Sequence, residues 1–297
     1  MRRLARCAAA ALALPTLALS GCSLFPTTRK LPVPKAPTVT QTVAPEILVE
    51  QINKRWQHMN ALTATLEIQA TQLKSKEGVA KDFPSCRGFI LMRKPEMLRV
   101  VAQYFGVRVF ELSSDGNRFM LSIPQKSKAI EGANKLEKRS ANQLENLRPD
   151  FFFDAMMVRG LDPDDYYSVI ADTETIEDAQ KKHLYAVPEY VLSITRHNQG
   201  SHNDMPLRVV TFHRDDLLPY QQDLYDAKGN LETEVFYAKY KDFGGSQYPS
   251  VVTIKRPIEG IQLVMTVERV VENPDPPLTD GQFQIKLAEG TKVQHLD

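Results

Sequence analysis

The sequence predicts a mainly β (α+β) chain organised around one long, meandering antiparallel sheet. Three observations predict it. Many stretches alternate apolar and polar residues with a period of two, turn-forming residues separate them, and only two stretches carry a helical pattern. Strands joined by such short turns are not βαβ units. A single sheet of long strands must curl to bury its apolar face, either closing into a barrel or wrapping around helices.

Taken from the N-terminus, Met1 to Arg6 holds three arginines and no acid, and residues 7–19, CAAAALALPTLAL, are almost wholly apolar. This is the pattern of an export signal, too short to span a bilayer, which needs roughly 20 apolar residues. Leu19-Ser20-Gly21-Cys22 follows and resembles the lipobox of bacterial lipoproteins. The resemblance implies cleavage after Gly21 and acylation of Cys22, and several acyl chains anchor durably where one does not. Ser23 rather than Asp after that cysteine implies the outer membrane, with the domain facing the periplasm. Residues 22–45 are rich in Pro, Thr and Val and lack acids, which predicts an extended tether.

Without residues 1–21, which hold three Arg and no acid, 34 basic and 36 acidic side chains remain, a formal charge of −2. That balance gives no nucleic-acid footprint. Cys7 falls in the signal and Cys22 in the lipobox, so Cys86 is left as a packing thiol with no partner for an internal disulfide.

Residues 46–297 are expected to form a single domain. Glu46 to Leu62 places Leu48, Ile52, Trp56 and Met59 on one helical face. Period-two alternation then runs through residues 65–73, 98–104, 119–123, 206–214, 231–240, 250–257 and 260–271. Hairpin residues stand at Ser114-Asp115-Gly116-Asn117, Asp226 to Asn230, Gly244-Gly245 and Glu259-Gly260. The second helical stretch is 140–158, with a capping-box pattern at Ser140 and Gln143 and a break at Pro149. Phe151-Phe152-Phe153 and Ala155 to Val158 are apolar nearly all round. They read either as a fixed plug in the core or as a mobile lid over an apolar cavity, where methionine suits varied chains.

Chemistry-bearing motifs are few. The six histidines are scattered, and HExxH, GxSxG, Walker and paired CxxC patterns are missing. Arg196 to Asp204 holds two histidines and an aspartate, but its Asn, Gly and Ser content reads as a long turn rather than a metal site. The expectation is a protein with no metal, no cofactor and no enzymatic activity.

Three segments together resemble the LolA/LolB-like lipoprotein-localisation family. They are Gly88 to Pro95 with Met97-Leu98-Arg99, Ser114 to Pro124, and Asp280 to Ile285 with Gly290 to Val293. The resemblance covers most of 47–124 and 205–297, and leaves 125–204 atypical. It implies a curved antiparallel open half-barrel with helices covering its concave apolar face, which holds the acyl chains of lipoproteins or lipids. Candidate cavity residues are Trp56 and, on predicted strands, Phe89, Leu91, Leu98, Val100, Phe119, Leu121, Leu263 and Met265. Phe152 and Met156 join them from the second helical stretch. Arg93 and Lys94 match the family's lid latch, although lysine lacks the planar fork of arginine. Phe105 matches the membrane-insertion loop of the anchored receptor, or else is a strand-end aromatic folded onto the core. The implied partners are acylated lipoproteins or lipids, the outer membrane through the N-terminal anchor, and a periplasmic carrier, with the chain a monomer. Two other functions fit the same sequence: an envelope sensor or scaffold that binds lipid or a partner protein, and a cell-envelope polysaccharide accessory protein.

Overall fold

The computed structural model describes residues 40–74, 78–135, 148–178, 183–198, 200 and 202–296. The signal, Cys22, most of the tether and the Ser140/Gln143 capping pattern lie outside the described residues. The fold is mainly β: among the described residues, one open, curved sheet with two α-helices.

Helix α1 (Pro45–His58) starts with Pro at its first turn and Glu46 beside it, and ends with Arg55 and His58, the charge order that suits a helix dipole. Leu48 and Ile52 are buried, and Met59, which caps the helix, is buried too. The sequence then switches to period two. Strand β1 (Ala61–Lys74) is followed by the short β2 (Val79–Asp82), which pairs with it. A first meander runs through β3 (Cys86–Arg93), β4 (Met97–Tyr104), β5 (Val107–Ser114), β6 (Arg118–Ile123) and β7 (Lys128–Ala133). Helix α2 (Asp150–Met156) comes next. A second meander comprises β8 (Asp165–Asp178), β9 (His183–His197), β10 (Asp204–His213), β11 (Pro219–Tyr225), β12 (Leu231–Asp242), β13 (Gln247–Arg256) and β14 (Ile261–Glu272). Strand β15 (Lys292–Leu296) ends the described chain.

The two meanders meet where β1 pairs with β14, so the order is β15-β7-β6-β5-β4-β3-β1-β14-β13-β12-β11-β10-β9-β8. Pairing is antiparallel except for β15, which runs parallel to β7. The sheet's edges are β15 and β8. The expected turns sit where the sequence puts them. Gly260, at φ +65°, is required: a Cβ there would lie 2.5 Å from the Leu73 carbonyl oxygen.

Cross-strand partners trace one apolar face. In one half Ile130, Leu121, Leu112, Val100, Ile90, Ala64 and Val270 stand opposite one another in turn. In the other, Leu192, Val210, Gln222, Val235, Ile254, Leu263 and Ala70 do so. Phe151, Phe152, Phe153, Ala155, Met156 and Met157 of the α2 segment are buried in the cluster this face forms. Leu48 and Ile52 of α1 pack with Tyr190, Leu192, Ile194, Val210 and Phe212 of β9 and β10. On the opposite face, Leu278 and Phe283 lie over Ala61, Leu91 and Met97.

Two expectations on β3 need correcting. Phe89 and Leu91 do not face the main core; Ile90 and Met92 do, at 1% and 0% exposure. Successive strand residues alternate, and Leu91 packs instead under the Leu278–Phe283 segment. Arg93 shares that outward parity. It donates to the Leu278 carbonyl at 2.7 Å and pairs with Asp280, so it ties down the C-terminal segment and does not reach α2.

Candidate functional site: the covered sheet face and the polar cavity beside it

The remaining cavity candidates come together. Leu98, Val100, Phe119, Phe152, Met156, Leu263 and Met265 are buried in one cluster, and Trp56 and Leu121 pack against it half-buried. That face is full. Phe153, 1% exposed, meets the Trp56 ring edge-on at 6.4 Å, and Phe151 stacks on Phe152 at 4.5 Å. The apolar space left beside α2, between Ile52, Met156, Phe212 and Tyr237, measures about 50 Å³. On that measure one water needs roughly 10–15 Å³, so the space is a few waters in size, small beside an acyl chain.

Polar ties to backbone fix the α2 segment. Tyr248 donates its buried hydroxyl to the Met156 carbonyl at 2.7 Å, and Gln222 Nε2 donates to the Asp154 carbonyl at 3.0 Å. Arg159 pairs with Asp154 and, at 2.9 Å, with Glu96. Burial pushes the Tyr248 hydroxyl far above the ordinary tyrosine value, so it stays a donor at any physiological pH. Lys94 donates to the backbone carbonyl of Trp56 in the last turn of α1, so this tie is to α1. Its ammonium also lies 3.9 Å from the centre of the Trp56 ring, and burial lowers its pKa.

At one end of the strands the face turns polar. Arg208 on β10 stands opposite Leu224 on β11, which stands opposite Thr233 on β12, and Arg256 on β13 donates to Thr233 Oγ1 at 2.8 Å. This row floors a cavity of about 920 Å³, walled by α2 and the residues after it. Most of its arginines are neutralised: Arg256 by Glu232 and Glu259, Arg196 by Asp162 and Asp165, Arg159 as above. Arg208 is different. It is 8% exposed, donates Nη2 to the Gly160 carbonyl at 2.6 Å, and has no carboxylate within 4 Å among the described residues. Burial lowers its pKa, with Asp154 acting the other way. The sequence carried a signal for it. In PLRVVTFHR, Arg208 shares parity with Val210 and Phe212, a charge at an inward position.

A third feature lies at the β4–β5 hairpin. Phe105 and Gly106 form a two-residue loop with φ +47° and +77°, the positive angles of a type I′ turn, where Asn and Gly are the usual residues. Phe105 is 89% exposed and its ring meets the Tyr104 ring edge-on with centroids 4.6 Å apart, while Val107 is 55% exposed. It is not folded onto the core. Of the histidines in the 196–204 turn, His197 Nδ1 lies 3.0 Å from Asp204 Oδ1 on paired strands, and among the described residues no group of three or more His, Cys, Asp or Glu could hold a metal. Cys86 Sγ sits 3.5 Å from the Pro84 carbonyl, and partial burial raises its pKa.

No protein-family model matches the sequence, and no curated protein matches it. Among solved structures, one shares its fold and two others bear a partial likeness to it. A DUF1329 family protein from Desulfovibrio piger superposes with a TM-score of 0.51 at 15% identity, covering 80% of this chain and 95% of that one. A LolA superfamily protein from Nitrosomonas europaea gives 0.49 at 15% identity, over 82% and 99%. A domain described as outer membrane lipoprotein-sorting, from Vibrio parahaemolyticus, gives 0.44 at 11% identity, over 80% and 94%.

Proposed function

We propose that a chain with this LolA/LolB-like fold is an outer-membrane lipoprotein that binds acyl chains on its apolar sheet face, without covalent catalysis, and takes part in lipoprotein localisation. On this reading α1 and α2 lie across the concave side of the sheet, and α2 is a lid that leaves when a chain enters. The observation that carries it is how the face is covered: a seven-residue helix occupies it, held through a handful of polar ties. Burial of acyl chains gains about 0.8 kcal/mol per CH₂, enough to replace the phenylalanines and methionines that α2 withdraws. Phe105, exposed at a hairpin tip, would enter the membrane during transfer.

The test is native mass spectrometry with lipid extraction on the full chain carrying Cys22→Ser. Bound acylated ligand, or uptake of an added diacylated lipopeptide, is expected. Tyr248→Phe, which frees the Met156 carbonyl, should increase uptake. A chain that comes out empty and ignores lipopeptide, with either side chain at 248, overturns the reading.

The charged cavity favours a second reading, an envelope sensor or scaffold in which the close-packed face stays shut and the polar end meets a partner. A polysaccharide-binding role has less behind it. Tyr166 and Tyr167 are exposed on β8, but as adjacent strand residues they point to opposite faces and make no aromatic row.

A further inference from the structure

The apolar face and the polar cavity adjoin. Arg208 and Val210 share parity on β10, with Leu224 and Gln222 opposite them on β11, so one step along the strands passes from the lid's apolar bed to the arginine row. Two groups at this junction are buried with no hydrogen-bond partner among the described residues: the Nε–H of Arg208, a cationic donor, and Oε1 of Gln222, an acceptor. Asn134, also lining the cavity, has its Oδ1 in the same condition. A buried polar group left unmatched bears its full desolvation cost, and native structures seldom leave one so without a reason. An unmatched cationic donor calls for an anionic oxygen, and an unmatched amide oxygen beside it calls for a hydroxyl or ammonium donor. One small group that supplies both is a phosphate ester bearing a hydroxyl or amine.

We infer that the cavity at Arg208 and Gln222 receives the phosphate-bearing headgroup of an anionic glycerolipid whose acyl chains lie on the adjoining apolar face, a specificity that rests on the acyl-binding reading above. Arg208 holds the phosphate oxygens and Gln222 Oε1 accepts from the headgroup's hydroxyl. The paired arginines nearby keep the cavity wet and polar without competing for the ligand, because their carboxylates already engage them. A cavity of about 920 Å³ has room for such a headgroup, whose oxygens reach the buried Arg208 and Gln222 atoms through a local side-chain shift, whereas the apolar part needs α2 to move.

Isothermal titration on the full chain carrying Cys22→Ser separates the possibilities, using dihexanoylphosphatidylglycerol, dihexanoylglycerol and glycerol 3-phosphate below any micelle concentration. The phosphatidylglycerol should bind about tenfold or more tighter than the uncharged dihexanoylglycerol, the worth of a hydrogen bond to a charged group. Arg208→Gln should erase that preference and leave dihexanoylglycerol unaffected, and Arg208→Lys should retain part of it. Equal affinity for the two lipids in the unsubstituted cavity overturns the headgroup site while the acyl-binding reading stands. Binding of neither lipid overturns both. Glycerol 3-phosphate binding as tightly as the lipid, and through Arg208, would make the ligand a free phosphate ester and overturn the lipid assignment. Circular dichroism checks that each variant folds; if Arg208→Gln does not, the lipid comparison and Arg208→Lys decide.

Discussion

Phe105 shows how a single residue can be at odds with its own backbone. A left-handed conformation costs a non-glycine residue roughly 1 kcal/mol or more, and an aromatic ring exposed at 89% recovers little of it by packing. Replacing Phe105 with glycine is therefore expected to raise the melting temperature slightly while lowering partition onto phospholipid vesicles. Thermal melts and vesicle flotation read the two effects, and a glycine variant that binds vesicles as before removes Phe105 from any membrane role. The same scale shows where the sequence could not be read. Gly88-Phe89-Ile90-Leu91-Met92 is apolar without a break, so it carries no alternation to reveal which residues face inward. The run is apolar because both faces of β3 are buried, the inner in the main core cluster and the outer under Leu278 and Phe283. Gly88 belongs to the inner set, since a Cβ there would meet Ile68 and Leu66 at 2.7 and 2.8 Å.

Among the elements, α2 was legible as a short, all-round apolar piece following Pro149, and its fixtures were not. Tyr248 and Gln222 come from strands far along the chain, and only the folded sheet brings them to one helix, while Arg159, just past its end, reaches back to Asp154 and across to the distant Glu96. The arginine row is similar: Arg208, Thr233 and Arg256 lie on strands that the meander sets side by side, with only the inward parity of Arg208 as a clue. At the start of α2, Asp150 lines the cavity while its side chain stays exposed at the rim. Desolvation raises its carboxyl to about 6, with Asp154 and Glu232 adding to the rise and its own backbone N–H and Arg256 opposing it. An acid whose pKa is higher in the folded chain takes up a proton on folding, so its contribution favours the fold below the ordinary value of 3.8 and is lost as pH rises to about 6. Asp150→Asn should flatten stability against pH between about 4 and 6, measured as the difference in melting temperature from the parent chain. Parallel slopes in the two proteins would show that Asp150 does not feel the cavity in this way.

For the whole molecule, alternation and turn chemistry announced a meandering sheet and left its closure open, because strand order depends on which distant edges meet. The decisive contact joins β1 to β14, pairing Leu62 with Glu272, and no local pattern encodes it. It sets two meanders side by side, and β15 crosses back to pair with β7 at the far edge. A chain cleaved once between Ala133 and Arg148 should therefore run as a single species on gel filtration and separate only in denaturant. Elution as two fragments would show that the seam cannot hold without the connecting chain. The seam also sets a timetable. A chain emerging from the ribosome in sequence order presents β1 some two hundred residues before its partner exists, and long-range pairings of this kind form slowly. Until β14 arrives, that edge of β1 stands open to neighbouring chains, so the protein's greatest risk of aggregation comes before it is finished rather than after.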